Sequence, residues 1–277
     1  MTRYARRRPI GAVAALLLVA IVAMSVLAPL IAPYDPMHTD LASQLRGPSP
    51  AHLFGTDELG RDVFSRVMYG GRLALLTALG SVVIAAVAGV PLGLVAGYFG
   101  RWVDAVVMRV VDVLLAIPSI LVALGLLAMF GRGTINVIIA VGIVNIPAFA
   151  RLTRASTLTV KEEDFVLATR SLGAGYGYLL LRTILPNALG PILVQVAVTA
   201  ATAILLASAL SFLGLGIQPP TPDWGAMLST GRSYLSQAPW YGIFPGLAVA
   251  VTVFCFDELS KVMQDVLGGR TAEELSL

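Results

Sequence analysis

Residues 159–173 read TVKEEDFVLATRSLG, and they lie in a polar segment, 151–182, that separates apolar stretches long enough to cross a bilayer. Thr159 and Glu162 have the spacing of a capping box, in which the two side chains cap the first turn of a helix. Gly173 supplies a helix stop. The segment therefore predicts a short polar helix from Thr159 to Gly173 in a chain that otherwise crosses a membrane.

This short helix has the pattern of a docking element. Three consecutive acids at 162–164 place negative charge on its first turn, where the helix dipole favours it. Phe165, Ala168 and Leu172 follow at i, i+3 and i+7 and form one apolar stripe. Such a stripe is narrow enough to insert into a groove on another protein. We therefore expect a helix at the membrane surface that a partner protein binds and moves.

The composition is that of an integral membrane protein. Of 277 residues, 57% are hydrophobic and 13% are charged, against about 25% charged residues in an ordinary soluble domain. The apolar stretches leave no room for a separate soluble core of about 100 residues, so one membrane domain is expected. Cys255 is the only cysteine, which excludes an intrachain disulfide and a second thiolate for a metal. The net charge of +3 comes from the ends of apolar stretches and does not indicate nucleic acid.

Six apolar stretches predict six transmembrane helices. The first follows four arginines, but it is longer than the roughly 7–15 residues of a signal-peptide core, so it is interpreted as an anchor. The six stretches are 10–32, 73–98, 102–130, 135–150, 189–215 and 241–262.

The distribution of positive charge predicts the orientation. With the N-terminus inside, most of the 19 Lys and Arg residues fall on the cytoplasmic side, as the positive-inside rule requires. Both termini and the docking helix are then expected in the cytoplasm. The expected division is a tail at 1–9, a first transmembrane helix at 10–32, an outer connection at 33–72, a membrane core at 73–266 with docking helices at 153–182, and a tail at 267–277.

The first outer connection contains a second helical pattern. From Asp57 onwards apolar residues occupy one face, and Asp62 is spaced to pair with Arg66 on the other, which predicts an interfacial amphipathic helix. His38 and His52 have no ligand spacing to each other or to acids, so they are expected to be loop histidines.

The second outer connection begins where two adjacent prolines, Pro219 and Pro220, end a span. Trp224 follows at a position where aromatic rings favour the lipid headgroup layer. Anchoring in that layer and lining the outer mouth of a pathway both remain open for this side chain.

No motif indicates a reaction of the chain's own. The only lysines, Lys161 and Lys261, are not preceded by the glycines of a phosphate-binding loop, and neither a Gly-x-Ser-x-Gly elbow nor a His-Glu-x-x-His motif occurs. A secondary transporter would keep ionisable residues near the bilayer midplane, whereas the centres of all six stretches lack charge. Arg109 and Asp112 at i+3 are expected to form a structural pair.

Several segments together resemble the inner-membrane permease subunits of ATP-binding-cassette (ABC) importers, in the dipeptide, oligopeptide and nickel branch. The markers are GTD at 55–57 with LGRD at 59–62, SR at 65–66, YG at 69–70, ATRSLG at 168–173, LPN at 185–187, the block 210–227, and PW at 239–240 with PG at 245–246. The order of these markers over nearly the whole chain is similar to the shorter, second permease of operon-encoded pairs.

The resemblance implies an all-α membrane protein with six transmembrane helices, the type I importer permease fold and a cytoplasmic coupling helix between spans 4 and 5. It implies location in a bacterial inner membrane, no cofactor in this chain, and ATP and Mg²⁺ bound by partner subunits. The implied partners are a second homologous permease, two ATPase domains, an extracytoplasmic substrate-binding protein, a peptide substrate and membrane lipid.

The sequence departs from the family pattern at two places. The coupling signature of the family has Glu-Ala-Ala followed by Gly, and here it reads Leu167-Ala168-Thr169 before Gly173. Docking is therefore expected to depend on apolar fit rather than on a signature Glu. The last span carries DELSK at 257–261 in place of a family Asn-Leu-Leu-Gly-Asp, with an i, i+4 spacing that predicts an ion pair.

Three groups of candidate site residues follow from these patterns and the resemblance. For coupling to an ATPase they are Lys161, Glu162, Glu163, Asp164, Phe165, Ala168, Thr169, Leu172, Gly173 and Pro186. For the outer mouth or a binding-protein contact they are Arg61, Asp62, Pro219, Pro220, Trp224 and Met227. For a pathway lining, with polar contacts between helices as the open alternative, they are Asn136, Asn145, Thr199, Thr202 and Ser208. Dipeptides or short oligopeptides are the expected substrates, and nickel chelates or glutathione remain open.

Overall fold

The computed structural model describes the backbone of residues 9–274 and the side chains of residues 9–267. The described part of the chain is helical, without strands. The expected N-terminal tail up to residue 8 and residues 275–277 of the expected C-terminal tail lie outside it. The helices are α1 (Pro9–Val26), α2 (Ala28–Ile31), α3 (Val63–Phe99), α4 (Arg101–Ala116), α5 (Ser119–Phe130), α6 (Thr134–Val160), α7 (Asp164–Ser171), α8 (Tyr176–Phe212), α9 (Trp224–Gly231) and α10 (Pro239–Glu274).

Five of these helices, α1, α3, α6, α8 and α10, are long and apolar enough to cross a membrane, and α4 with α5 counts as a sixth span if the two are taken together. This confirms the expected all-α membrane fold, and the count agrees with the six predicted spans if the bent pair is one span. The bundle has two ends. The α7 end contains α7, the last residues of α3 and α6 and the start of α8; the α9 end contains α9 and the starts of α3, α6 and α10.

The third predicted span, 102–130, is not one straight helix. It bends by 93° between α4 and α5. Ile117 there has an extended backbone, with φ −97° and ψ 132°, because the ring of Pro118 disfavours the helical conformation of the residue before it. At about 1.5 Å per residue, α4 and α5 reach only about 24 and 18 Å, so neither crosses a hydrocarbon core of about 30 Å alone.

Two spans are longer than their apolar patterns. Helix α3 begins ten residues before the predicted span start at 73, because Asp62 caps it at the α9 end and accepts a 2.8 Å hydrogen bond from the Ser65 N–H. The separate amphipathic helix predicted from Asp57 is therefore wrong. Helix α8 starts at Tyr176 and includes a π-helical segment, Leu179–Ile184, just before Pro186.

Helices α3 and α6 run parallel and approach each other closely along a row of small residues. Gly89, Gly93 and Gly97 recur every fourth residue on α3 and face α6. A Cβ atom built on Gly93 would lie 2.4 Å from the Ala150 carbonyl oxygen and 2.7 Å from the Thr153 Cβ, so the two backbones are in contact there. Glycine at these positions allows the two helices to approach this closely.

Candidate functional sites at the two ends of the helix bundle

The polar docking helix exists at the α7 end but starts later than predicted. Thr159 belongs to the last turn of α6, and its hydroxyl donates to the Ala155 carbonyl at 3.3 Å. Helix α7 begins at Asp164 after the cap residue Glu163, whose side chain makes no capping hydrogen bond. The predicted capping box is therefore wrong, because no glycine or proline ends α6 before it and its hydrogen-bond ladder runs on through Thr159.

One buried face fixes α7 to the bundle. Val166 is only 3% exposed and packs with Leu94 of α3 and with Leu179 and Ile184 of α8. In the short link before α7, the Lys161 ammonium donates to the Gly97 carbonyl of α3 at 3.2 Å. Helix α7 is thus held by two neighbouring helices through one apolar contact and one polar contact.

The opposite face of α7 carries the predicted apolar stripe and is uncovered. Phe165 is 43% exposed and Leu172 is 89% exposed, and Ala168 between them is exposed as well. Acids 162–164 are exposed beside the stripe. Gly173 ends the helix with φ +83°, a backbone region that favours glycine. The chain therefore presents an apolar ridge on a firmly seated helix.

Of the remaining predicted coupling residues, Thr169 lies on α7 and Pro186 lies on α8. The Thr169 hydroxyl donates back to the Phe165 carbonyl at 2.7 Å, and Pro186 is exposed near the start of α8. Tyr98, Phe99 and Tyr176 form an aromatic cluster next to α7, with ring centroids 5.2–5.9 Å apart. The sequence patterns did not predict this cluster or the burial of Val166. The burial of Val166 could have been predicted, because it lies on the face of α7 opposite the exposed stripe.

Ion pairs at the α7 end join α4 to α6. Arg154 binds Asp104 with both nitrogens of its fork, one of them at 2.6 Å, and Arg151 binds Asp112 at 2.7 Å. The predicted pair of Arg109 with Asp112 is wrong, because α6 brings Arg151 to Asp112 from the neighbouring helix. The predicted pair of Asp257 with Lys261 on α10 is confirmed at 2.8 Å.

A buried charge cluster lies at the α9 end. The Asp57 carboxylate is inaccessible to solvent and accepts from the Arg61 Nε at 2.7 Å. The Arg66 Nε lies 3.4 Å from the same carboxylate, which makes an ion pair but not a well-formed hydrogen bond. The predicted pairing of Arg66 with Asp62 is therefore wrong, since residues 57–62 form a turn and Asp62 is used as a helix cap.

His52 lies in the first connection, as expected for a loop histidine. Its Nδ1 lies 3.0 Å from the Asp62 Oδ1, so it contacts an acid although it has no ligand spacing in the sequence. No group of three or more His, Cys, Asp or Glu side chains that could hold a metal ion occurs among the residues that the structure describes. Arg61 and Asp62 are both buried and hold the first connection together.

The second connection folds against this cluster. Trp224 is 2% exposed and donates from its indole N–H to the Val67 carbonyl at 2.8 Å, and Met227 is 1% exposed. Both pack within the chain, so the headgroup position suggested for Trp224 is wrong. Burial raises the pKa of Asp223, which caps α9 by accepting from the Ala226 N–H at 2.8 Å. Pro219 and Pro220 are exposed and are joined by a cis peptide bond.

The predicted pathway residues do not gather around one cavity. Asn136 donates to the Phe130 carbonyl at 2.8 Å and closes the turn between α5 and α6. Asn145 donates within α6, and Thr202 donates within α8 to the carbonyl of the fully buried Thr199. Ser208 is buried as well, so among the five only Thr202 is exposed. These polar side chains therefore make hydrogen bonds within helices or between neighbouring ones, as the alternative interpretation expects.

Two family models match the chain. Residues 89–272 match the family model described as binding-protein-dependent transport system inner membrane component. The chain belongs to this family. Residues 1–48 match a second model, the N-terminal transmembrane domain of oligopeptide transport permease C. The resemblance drawn from the ordered sequence markers is confirmed, and the chain is a multi-span permease of the bacterial inner membrane.

Relatives of this permease cover nearly all of its length. It is 40% identical to the dipeptide transport system permease protein DppC of Alkalihalophilus pseudofirmus, over 95% of this chain and 86% of that protein. It is 43% identical to the di/tripeptide permease DppC of Pseudomonas aeruginosa (93% and 87% covered). It is 42% identical to the glutathione permease GsiD of Pectobacterium atrosepticum (94% and 87% covered).

Solved structures show the same fold at low identity. The MetNI methionine ABC transporter in inward-facing conformations aligns with a TM-score of 0.56 at 17% identity, over 72% of this permease and 97% of that chain. An amino acid ABC transporter with histidines aligns with a TM-score of 0.54, also at 17% identity, over 73% and 94%. The permease therefore has the type I ABC importer fold.

Proposed function

We infer that this permease forms, with a second homologous permease, the membrane pathway of an ATP-driven importer for dipeptides or short oligopeptides. The relatives above are named for dipeptides, di- and tripeptides, and glutathione, which is itself a tripeptide. A short peptide with polar termini is the chemistry these three names share. An extracytoplasmic binding protein would deliver it at the α9 end.

The energy for transport would enter at the α7 end, which we assign to the cytoplasm together with both termini. The chain has no phosphate-binding loop, so ATP and Mg²⁺ would be bound by two separate ATPase domains. The ridge of Phe165 and Leu172 supports this assignment, because it is a large apolar surface on a helix that the rest of the chain leaves open. In our proposal this ridge seats in a cleft of an ATPase.

Movement of α7 would then be transmitted to the spans. Val166 and Lys161 fix α7 to α3 and α8, and only three residues separate α7 from the end of α6. Because α3 and α6 are in backbone contact along their glycine row, they would move as one rigid body. Closure of the ATPases around nucleotide would in this way shift the pathway between inward-open and outward-open states.

The substitution Phe165→Ala tests this function in proteoliposomes that contain the whole importer. ATP hydrolysis should continue while peptide uptake falls, because the nucleotide cycle would no longer move α7. Phe130→Ala is the matched control, since Phe130 is a phenylalanine of similar exposure, 49%, near the α9 end. Normal uptake by the Phe165 variant would contradict the proposal, and so would uptake that stops with a protonophore while ATP is kept constant.

A further inference from the structure

An apolar groove opens on the side of the bundle between α1 and α3. Its volume is about 440 Å³, and Val22 and Val26 of α1 and Leu76 and Leu79 of α3 line its walls. Val26, Leu76 and Leu79 are each more than half exposed, so no part of the described chain fills the space between them. The groove lies along the apolar part of two membrane-spanning helices.

The way α1 crosses the bundle creates this groove. Near the α9 end α1 touches α3, where a Cβ on Gly71 would lie 2.2 Å from the Ser25 hydroxyl oxygen. Nearer the α7 end α1 packs instead on α10, through Leu18 and Cys255. Phe256 of α10 also lines the groove. A permanent depression is therefore left between two fixed crossing points.

A single charge stands at the mouth of the groove. Arg72 lines it and is exposed, and within the described residues its guanidinium has neither a hydrogen bond nor an ion pair. It is the last charged residue before the uncharged stretch 73–99, so it lies where the hydrocarbon layer ends and lipid phosphates begin. A free arginine at this level is complementary to a phosphate group.

The depth of the groove matches one leaflet. Its lining on α3 extends from Arg72 to Val82, which is ten residues or about 15 Å along a helix. Half of a hydrocarbon core of about 30 Å is also about 15 Å.

We propose that this groove is a binding site for one anionic phospholipid in the leaflet at the α9 end. Its phosphate binds Arg72, and one acyl chain lies along Leu76 and Leu79 towards Phe256. The bound lipid fills the gap that α1 leaves and ties α1 to α3. The site is independent of the peptide pathway and of the coupling helix.

Native mass spectrometry of the purified importer, with phosphatidylglycerol or phosphatidylcholine of identical acyl chains added, tests the proposal. One tightly held phosphatidylglycerol is expected, retained about fivefold better than phosphatidylcholine, the preference that one arginine at a charged lipid surface provides. Arg72→Gln should reduce this ratio to about one, and Arg72→Lys should keep most of it. Leu79→Trp should displace both lipids by filling the groove.

Arg132→Gln is the matched control, since Arg132 is exposed and also has no hydrogen bond or ion pair among the described residues, but it lies outside the groove. An unchanged ratio in Arg72→Gln, or an equal fall in Arg132→Gln, would overturn the proposal. So would a photo-crosslinker at position 79 that captures the second permease in the assembled importer instead of lipid.

Discussion

The contact between α3 and α6 makes a quantitative prediction for Gly93→Ala. The added Cβ would lie 2.4 Å from the Ala150 carbonyl oxygen and 2.7 Å from the Thr153 Cβ. Because non-bonded atoms prefer about 3.5 Å, the helices would have to separate by about 1 Å at this point. Overpacking of this kind costs about 1–3 kcal/mol.

Gly125→Ala is the control for this prediction. Gly125 is also inside a helix, but no atom lies within 4 Å of a Cβ built there. Both variants gain the same helix propensity, about 1 kcal/mol in water, so their difference isolates the clash. Unfolding of the purified permease with increasing mole fraction of sodium dodecyl sulfate would measure it. If Gly93→Ala unfolds at the same detergent fraction as Gly125→Ala, the close packing of α3 and α6 is refuted.

Three further substitutions test other contacts. Asp57→Asn should destabilise the chain by about 3–5 kcal/mol because it removes the buried carboxylate that Arg61 and Arg66 share, whereas Asp112→Asn in an exposed pair should cost less than about 1 kcal/mol; equal losses in the same detergent titration would contradict the buried cluster. Trp224→Phe should cost about 0.5–1.5 kcal/mol by removing the hydrogen bond from the indole N–H to the Val67 carbonyl of α3, and an unchanged midpoint would argue against that hydrogen bond. Gly173→Ala should speed amide hydrogen exchange in α7, since a φ of +83° costs a residue with a Cβ about 1–2 kcal/mol. Gly175→Ala, at φ −69°, should leave the exchange rate unchanged. Faster exchange in the Gly175 variant than in the Gly173 variant would exclude the proposed helix end.

The long helices could be predicted from hydropathy because each needs about 20 apolar residues, and that requirement is visible in the sequence. The 93° break between α4 and α5 could not, since Pro118 lies inside an uninterrupted apolar run. A hydropathy pattern reports how favourably a segment is transferred into lipid, but it does not report a change in the direction of the helix axis. The start of α3 at Val63 could not be predicted for the opposite reason, because the polar residues of its first turns, Ser65 and Arg66, are buried in protein rather than exposed to water.

Side-chain partners depended on tertiary structure. The exposed stripe on α7 followed from periodicity, since three apolar residues on a polar helix share one face. The ion pairs were assigned within single helices by spacing, whereas Asp57 sits in a turn and Asp112 faces a neighbouring helix. Spacing predicts a pair only when both residues are in the same helix and no other element brings a closer charge.

Photo-crosslinking at position 172 in the assembled importer tests the coupling role of α7 most directly. Leu172 is the most exposed residue of the apolar ridge, and Met129, 79% exposed near the α9 end, serves as the control position. We predict that a crosslinker at 172 captures an ATPase subunit and that the yield changes with bound nucleotide, whereas the one at 129 captures no ATPase. Capture of the extracytoplasmic binding protein from position 172, or no capture of an ATPase there, would contradict the account.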